Sequence, residues 1–302
     1  MSAVFTAIFP VFALLVLGNI ARRSGFLDEH FWRQAEQGTY YVLFPCLLLA
    51  NLVRAELDWL AAGLLAVAAA LLIVTASVLA LLFNVWLKLS GPDFTSFFQG
   101  TTRFNTFIGL ALAAVLPDPA LTYAALIIAG MIPLVNVFCV VAFAVYTPAT
   151  LRIRTVIMQV VKNPLVVVSV LGIVLNLLGW LPPVLVMTVV DKLALMALPV
   201  GLLAVGAGLR LQALRGAGHT FGWVVLAKLA ILPVLIWYLA AALGLDNDAQ
   251  RVLTLFAALP TAASAYILAR QLGGNAELMA GIITGQTLLA MASLPLVMYL
   301  TA

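Results

Sequence analysis

Gln99-Gly100-Thr101-Thr102-Arg103-Phe104-Asn105-Thr106 is a polar stretch set inside a hydrophobic segment. Phe97 and Phe98 precede it, and the run from Ile108 to Leu116 that follows is almost entirely apolar. A helix in lipid must satisfy its own backbone and has no cheap place for a guanidinium or an amide. Glycine, threonines, an arginine and an asparagine together therefore read as the lining of a site. The far half of the chain carries a counterpart, Ala257-Ala258-Leu259-Pro260-Thr261-Ala262-Ala263-Ser264-Ala265-Tyr266. There a proline interrupts another long apolar segment and hydroxyls follow it. The remaining chain reads as scaffolding that brings two interrupted helices together.

Of the 302 residues, 65% are hydrophobic and 9% are charged. A soluble domain keeps roughly a quarter of its residues charged, so this chain cannot cover itself with a water-compatible surface. It reads as an integral membrane protein, and its repeated long apolar segments make it all-α rather than a β-barrel. The net charge of +4 comes from basic loops and not from a basic patch with interleaved aromatics, which argues against a nucleic-acid partner. Cys46 and Cys139 both lie in apolar segments and read as small packing residues. No metal ligand set or cofactor motif is present in the spacing of Cys and His. Met1 to Ala21 lacks a basic leader, and Arg22 and Arg23 come after its apolar run. That order suits a first membrane helix with its N-terminus outside, not a signal peptide.

Ten hydrophobic segments can be counted, at 3–21, 36–54, 60–87, 94–116, 119–147, 160–180, 184–209, 219–244, 250–270 and 276–300. Most are near or above the ~20 residues needed to span. Little sequence remains for soluble domains, so residues 1–302 are expected to form one membrane domain. Odd-numbered loops carry Arg22, Arg23, Arg33, Lys88, Arg152, Arg154, Lys162, Arg210, Arg215 and Arg270, while even-numbered loops carry Arg54, Lys192 and Arg251. Basic residues favour the cytoplasmic side, so both termini are expected outside the cytoplasm, with the chain multi-pass in a bacterial inner membrane.

The two halves share punctuation. Pro10, Gly18 and Gly25 recur as Pro164, Gly172 and Gly179 at identical spacing, and Phe44-Pro45 with Leu48-Leu49-Ala50 recurs as Leu198-Pro199 with Leu202-Leu203-Ala204. The same register carries Phe104-Asn105 onto the neighbourhood of Pro260-Thr261. Five segments per half is an odd number, so the halves must run in opposite directions. The expectation is two inverted five-helix repeats, 1–148 and 155–302, with crossing broken helices four and nine near the membrane midplane.

Arg103 lies ten residues beyond Asp93, roughly 15 Å deep at the helical rise, and Lys228 lies nine residues after His219 at a similar depth. The acids fall at or near segment ends: Asp28, Glu29, Glu36, Asp93 and Glu277 on the cytoplasmic side, and Glu56, Asp58, Asp118, Asp191, Asp246 and Asp248 on the other. Two deep cations without a carboxylate point to an anionic ligand. They are also compatible with arginine bonding opened backbone carbonyls and with lysine snorkelling. Half-helix N-termini strengthen the anion reading, because their amides carry partial positive charge. Asn51, Asn136, Tyr266 and Gln286 could face the same cavity or serve as polar glue between helices.

These residues place the chain close to a known group. Arg103-Phe104-Asn105 with Gly109, Ile132-Pro133-Leu134-Val135-Asn136-Val137, Lys162-Asn163-Pro164-Leu165, Leu198-Pro199 with Gly206-Ala207-Gly208-Leu209, Lys228 with Pro233, and Ala258-Leu259-Pro260-Thr261 together resemble the auxin efflux carrier family. That family includes plant PIN-type carriers and bacterial malate or malonate permease-like proteins. The resemblance implies scaffold helices 1, 2, 6 and 7, transport helices 3–5 and 8–10, and an elevator-like movement between them. It places Asn105 at the first crossover and Pro260 at the second, and it implies dimerisation through the scaffold. Phe104 stands where plant carriers have proline, so the first break is expected either to rest on Gly100 and the threonines or to be milder.

The leading expectation is a transporter of small organic anions, carboxylates such as malate, malonate or auxin-like acids, working by uniport or by secondary coupling. Its substrate-binding candidates are Arg103, Asn105, Thr106, Asn136, Pro260, Thr261, Ser264, Asn51, Lys228, Tyr266 and Gln286. The alternative is a sodium-coupled symporter like the bile-acid carriers, for which acids around the crossover are missing. An enzyme would need convergent catalytic groups; His30 and His219 lie near loops, and no nucleophile or metal-ligand motif accompanies them. A non-transport membrane sensor has no need of inverted halves or polar breaks.

Overall fold

The computed structural model describes residues 2–56, 59–148, 158, 161–216 and 218–301. Asp58, Arg152 and Arg154, which the sequence places in loops, lie outside the described residues. Among the described residues every regular element is helical. The chain opens with α1 (Ser2–Arg23), then α2 (Glu29–Gly38), a π-helical turn (Thr39–Leu43) and α3 (Phe44–Arg54). Next come α4 (Trp59–Leu87), α5 (Gly91–Thr102), α6 (Thr106–Ala113) and α7 (Ala120–Tyr146). The second half contains α8 (Pro164–Leu177), α9 (Val184–Gly208), a 3-10 turn (Leu211–Gly216) and α10 (Gly218–Val225). A second π-helical turn (Leu226–Ile231) joins α10 to α11 (Leu232–Ala242), and α12 (Asn247–Ala258), α13 (Ser264–Leu272) and α14 (Ala276–Leu300) complete it. Among the described residues, five helical stretches are long and apolar enough to cross a membrane: Ala62–Leu87, Ala120–Tyr146, Val184–Gly208, Gly218–Ala242 and Ala276–Leu300.

Helix ends are fixed by side chains that accept from open backbone amides. Asp28 caps α2, Ser90 caps α5, Asn163 caps α8, Asp246 caps α12 and Asn275 caps α14. Pro164 follows its cap at the first helical position, where a missing N–H costs nothing.

Packing of α1 on α9 and of α3 on α8 follows one scheme. Asn19 donates to the Gly206 and Leu209 carbonyls, and Arg22 donates to the Ala207 carbonyl at 2.8 Å. In the other pair Asn176 donates to the carbonyls of Leu52, Val53 and Ala55. Leu52, Val53 and Ala55 become Gly206, Ala207 and Leu209 when 154 residues are added, and Arg22 becomes Asn176. Each donor set thus closes the orphan carbonyls at the end of a helix from the opposite half. Gly25 and Gly179 keep the same interval and share a left-handed backbone, at φ 72 and 61. Close approach explains two more glycines: a Cβ at Gly18 would run into the Leu203 carbonyl, and one at Gly206 into the Leu15 carbonyl.

The two interrupted segments meet. Helix α5 ends at Thr102, and Arg103–Asn105 is extended before α6 begins. Helix α12 ends at Ala258, and residues 259–262 are non-helical before the turn into α13. The first break therefore falls at Arg103–Asn105 and not on Gly100 and the threonines, which remain helical. Gly100 is required by packing, since a Cβ there would lie 2.7 Å from a Val224 methyl. Asn105 makes the break without a proline: its side-chain oxygen accepts from the Phe107 and Ile108 amides, at 3.0 and 3.2 Å, and starts a new helix. The Asn105 amide donates to the Pro260 carbonyl at 2.7 Å. Gly100's carbonyl accepts from Thr261 Oγ and Gln286 Nε2, both at 3.0 Å. Gln286 Oε1 in turn accepts from the Thr261 amide at 2.9 Å and its hydroxyl at 2.7 Å.

Three outcomes follow for stability. Gly206→Val should overpack the α1–α9 contact at a cost of about 1–3 kcal/mol, read as a lower melting temperature in detergent. Gly222→Ala, with open space around its α-carbon, should stay within about 0.5 kcal/mol in the same assay. Gln286→Ala strips partners from a buried amide and a buried carbonyl and should cost about 1–3 kcal/mol. An unchanged melt for Gln286→Ala would mean that the breaks hold without it.

Candidate functional site

Where the breaks meet, a cavity of about 350 Å³ opens between them and α2, the first π turn and α9. Asn105, Thr106 and Phe107 line it from the first break, and Ala262, Ala263 and Ser264 from the second. Arg33, Glu36, Gln37, Tyr40 and Tyr41 form the facing wall, with Val205 from α9. Helix α13 enters this cavity with Ala263 at its N-cap and no side-chain cap, and its Ala265 and Tyr266 amides donate to the Ala262 and Ala263 carbonyls, both at 3.1 Å. An N-terminus of this kind presents the positive end of the helix dipole.

Arg103 stands beside that N-terminus. Its Nη2 donates to Asn136 Oδ1 at 2.9 Å and its Nη1 to Ser264 Oγ at 3.4 Å. Its Nε is buried with no partner among the described residues. The arginine bonds neither a carboxylate nor the backbone carbonyls of the breaks, so its charge is oriented by neutral side chains and not cancelled. Asn136, contributed by α7, works as the orienting acceptor. This arrangement can hold a carboxylate or a similar small anion with charge-assisted hydrogen bonds.

The remaining sequence candidates divide. Asn105, Thr106 and Ser264 line the cavity, and Arg103 and Asn136 stand behind it. Pro260, Thr261 and Gln286 are buried and spend their polar groups tying the breaks together. Tyr266 faces a neighbouring space, where the guanidinium of Arg210 lies 5.5 Å from its ring centre. Asn51 donates to the Leu47 carbonyl and lines a pocket of about 1120 Å³ with Arg54, Glu56, Asp118 and Asp191, apart from the crossover. Arg54 and Asp191 form a bidentate ion pair there, at 2.7 and 2.9 Å. Lys228 is fully buried in the second π turn, lines none of these cavities and has no hydrogen-bond partner for its ammonium among the described residues.

Two further spaces continue from the crossover cavity. One of about 200 Å³ shares Arg33, Glu36, Ala263 and Ile267 with it. Another of about 850 Å³ shares Arg22, Glu29, Arg210 and Tyr266 with that one. Arg22, Arg23, Arg33 and Arg210 line this route together with Glu29, Glu36 and Glu277. Its charges nearly balance. Sequence reasoning missed the wall on α2: Glu36 was placed at a segment end, whereas it lines the crossover cavity. Arg33, Glu36, Gln37 and Tyr40 recur at helical spacing as one polar stripe, and that periodicity was the available signal. His30 and His219 are exposed, and no described group of His, Cys, Asp and Glu could hold a metal ion.

Comparison with known proteins agrees with this architecture. The family model described as "Membrane transport protein" matches residues 146–298, just over half of the 302. A protein of Rhizobium meliloti (strain 1021) named "Putative malonate transporter" is 33% identical over 144 residues. That match covers 47% of this chain and 45% of the relative's length. An all-helical chain with several membrane-length apolar helices and two interrupted helices meeting at a polar cavity belongs, on this match, to the membrane transport protein family of auxin-efflux-carrier and malonate-permease-like proteins.

Proposed function

We propose that this transporter carries small organic anions, with a substrate carboxylate held at the crossover by Thr106 and the Arg103–Ser264 pair, beside the N-terminus of α13. The observation that carries this reading is Arg103, buried at its Nε, oriented by Asn136 and Ser264, and paired with no carboxylate among the described residues. A buried cation without a counter-charge is costly, and a visiting anion supplies one. The name of the Rhizobium relative makes malonate the first carboxylate to try, with malate and aromatic acids after it.

The proposed architecture is ten membrane crossings in two inverted halves, 1–148 and 155–302. The mirrored capping of helix ends at one interval of 154 residues supports it. In this reading α1, α3, α8 and α9 belong to a scaffold, and the interrupted helices with their neighbours form a transport unit that slides against it. The cavity lies on the boundary between the two, with α2 and α9 on one wall and both breaks on the other. A substrate held there would be exposed to one side of the membrane and then the other. The excess of basic residues in these loops supports a cytoplasmic opening for the route lined by Arg22, Arg23 and Arg210, with both termini outside.

Thermal stabilisation of purified protein tests the anion site. A ligand that binds only the folded state raises apparent stability by an amount set by its concentration over its dissociation constant. Malonate, malate or an aromatic acetate should raise the melting temperature of the wild type, and Arg103→Ala should lose the shift while remaining folded. At 100 times the dissociation constant the gain is about 2.7 kcal/mol. Stabilisation by sodium or by neutral isosteres, and by none of the acids, would assign the arginine a structural role and remove the anion reading.

A further inference from the structure

The anion site has an acid in its wall that its own chemistry does not use. Glu36 lies in the last turns of α2, half-buried, and lines both the crossover cavity and the space that continues from it. No described residue gives its carboxylate a hydrogen bond or an ion pair. Arg33 shares its helix and both spaces, yet bonds to nothing in the described structure. The π turn presents Tyr40 and Tyr41, and α13 presents Tyr266. From α1 comes Arg22, held on the Ala207 carbonyl, while Glu29 and Arg210 pair with each other at 3.5 Å. Helix α9 offers only small apolar side chains, Ala204, Val205 and Ala207. Arg103 stands behind Ser264 on the far wall.

A free carboxylate in a narrow cavity repels a second carboxylate, and neither Arg33 nor Arg22 is placed to cancel it. The repulsion disappears when the wall acid takes a proton. We infer that Glu36 is the proton-binding group of this transporter, and that each anion seated at the crossover is accompanied by one proton taken from solvent onto the Glu36 carboxylate. No covalent chemistry is involved: one proton leaves water, one O–H bond forms on Glu36, and the process reverses when the anion departs. For a monoanion the site's total charge is then the same empty and occupied, so the loaded site crosses the membrane no more highly charged than the empty one. This inference rests on the reading of the crossover as an anion site.

Calorimetric titration of the full-length protein tests it, with malonate, malate and an aromatic acetate as probes. Runs at neutral and alkaline pH, in two buffers of different ionisation enthalpy, count the protons exchanged on binding. The expected wild-type result is uptake of about one proton per anion, with affinity falling about tenfold per pH unit once Glu36 is ionised in the empty site. Glu36→Gln, which carries the neutral shape permanently, should bind without proton uptake and with affinity flat across pH; Glu36→Asp should restore the uptake. Wild-type binding with no proton uptake, or uptake that persists in Glu36→Gln, overturns the role of Glu36 and leaves the anion site standing. Absence of binding by every probe in the wild type, with the melt showing folded protein, overturns the anion site and this role with it.

Discussion

One requirement shapes the centre of this molecule: backbone groups released by a broken helix in an apolar interior must find partners within the protein. Here each break supplies the other. The Asn105 amide closes on the Pro260 carbonyl, and the carbonyl of Gly100 is met by Thr261 and Gln286. With those groups satisfied, the two chain segments are fixed against one another. The N-terminal end of α13 has alanine where a capping side chain would normally stand, and the Ala262 and Ala263 carbonyls take its Ala265 and Tyr266 amides. The site lies where this network meets the positive end of a helix dipole.

Frame and breaks use backbone in opposite ways. In the α1–α9 contact, Gly18 and Gly206 let main chains touch, and side-chain amides seal the helix ends. The same sealing recurs between α3 and α8. At the breaks, helices stop short, side chains are threonines and asparagines, and space is left over. A rigid seam beside a polar interruption suits a transporter, because a mobile part needs an unyielding surface to move against.

Much of the centre was legible. Arg103 and Asn105 in one apolar run, and Pro260 and Thr261 in another, marked the interruptions because lipid tolerates such residues only where they line or brace something. Depth along a helix could be counted from residue spacing; the direction in which each side chain points could not. Gln286, Asn51 and Tyr266 therefore stayed open between cavity lining and polar glue; Gln286 braces the breaks, and Asn51 and Tyr266 line neighbouring spaces. Glu36 failed for the complementary reason: counted by depth it was terminal, but α2 extends through the π turn into α3 and carries it along the cavity wall. The glycine ahead of the first break was ambiguous because glycine signals both bends and close packing, and at Gly100 it serves packing.

The reciprocal sealing of helix ends also bears on how the chain is made. Carbonyls at Leu52, Val53 and Ala55 end α3, yet their donor, Asn176, lies 121 residues beyond Ala55. At roughly 5–20 residues per second, the interval before that donor is synthesised is roughly 6–24 s. During it the newborn first half carries an unsealed helix end, which must rest in the headgroup region or against the insertion machinery. The second half meets no such delay, since Asn19 and Arg22 are already in place when Gly206, Ala207 and Leu209 emerge. Assembly is therefore asymmetric in time although the finished seam is nearly symmetric in space: the first half waits, and the second docks onto a partner already made.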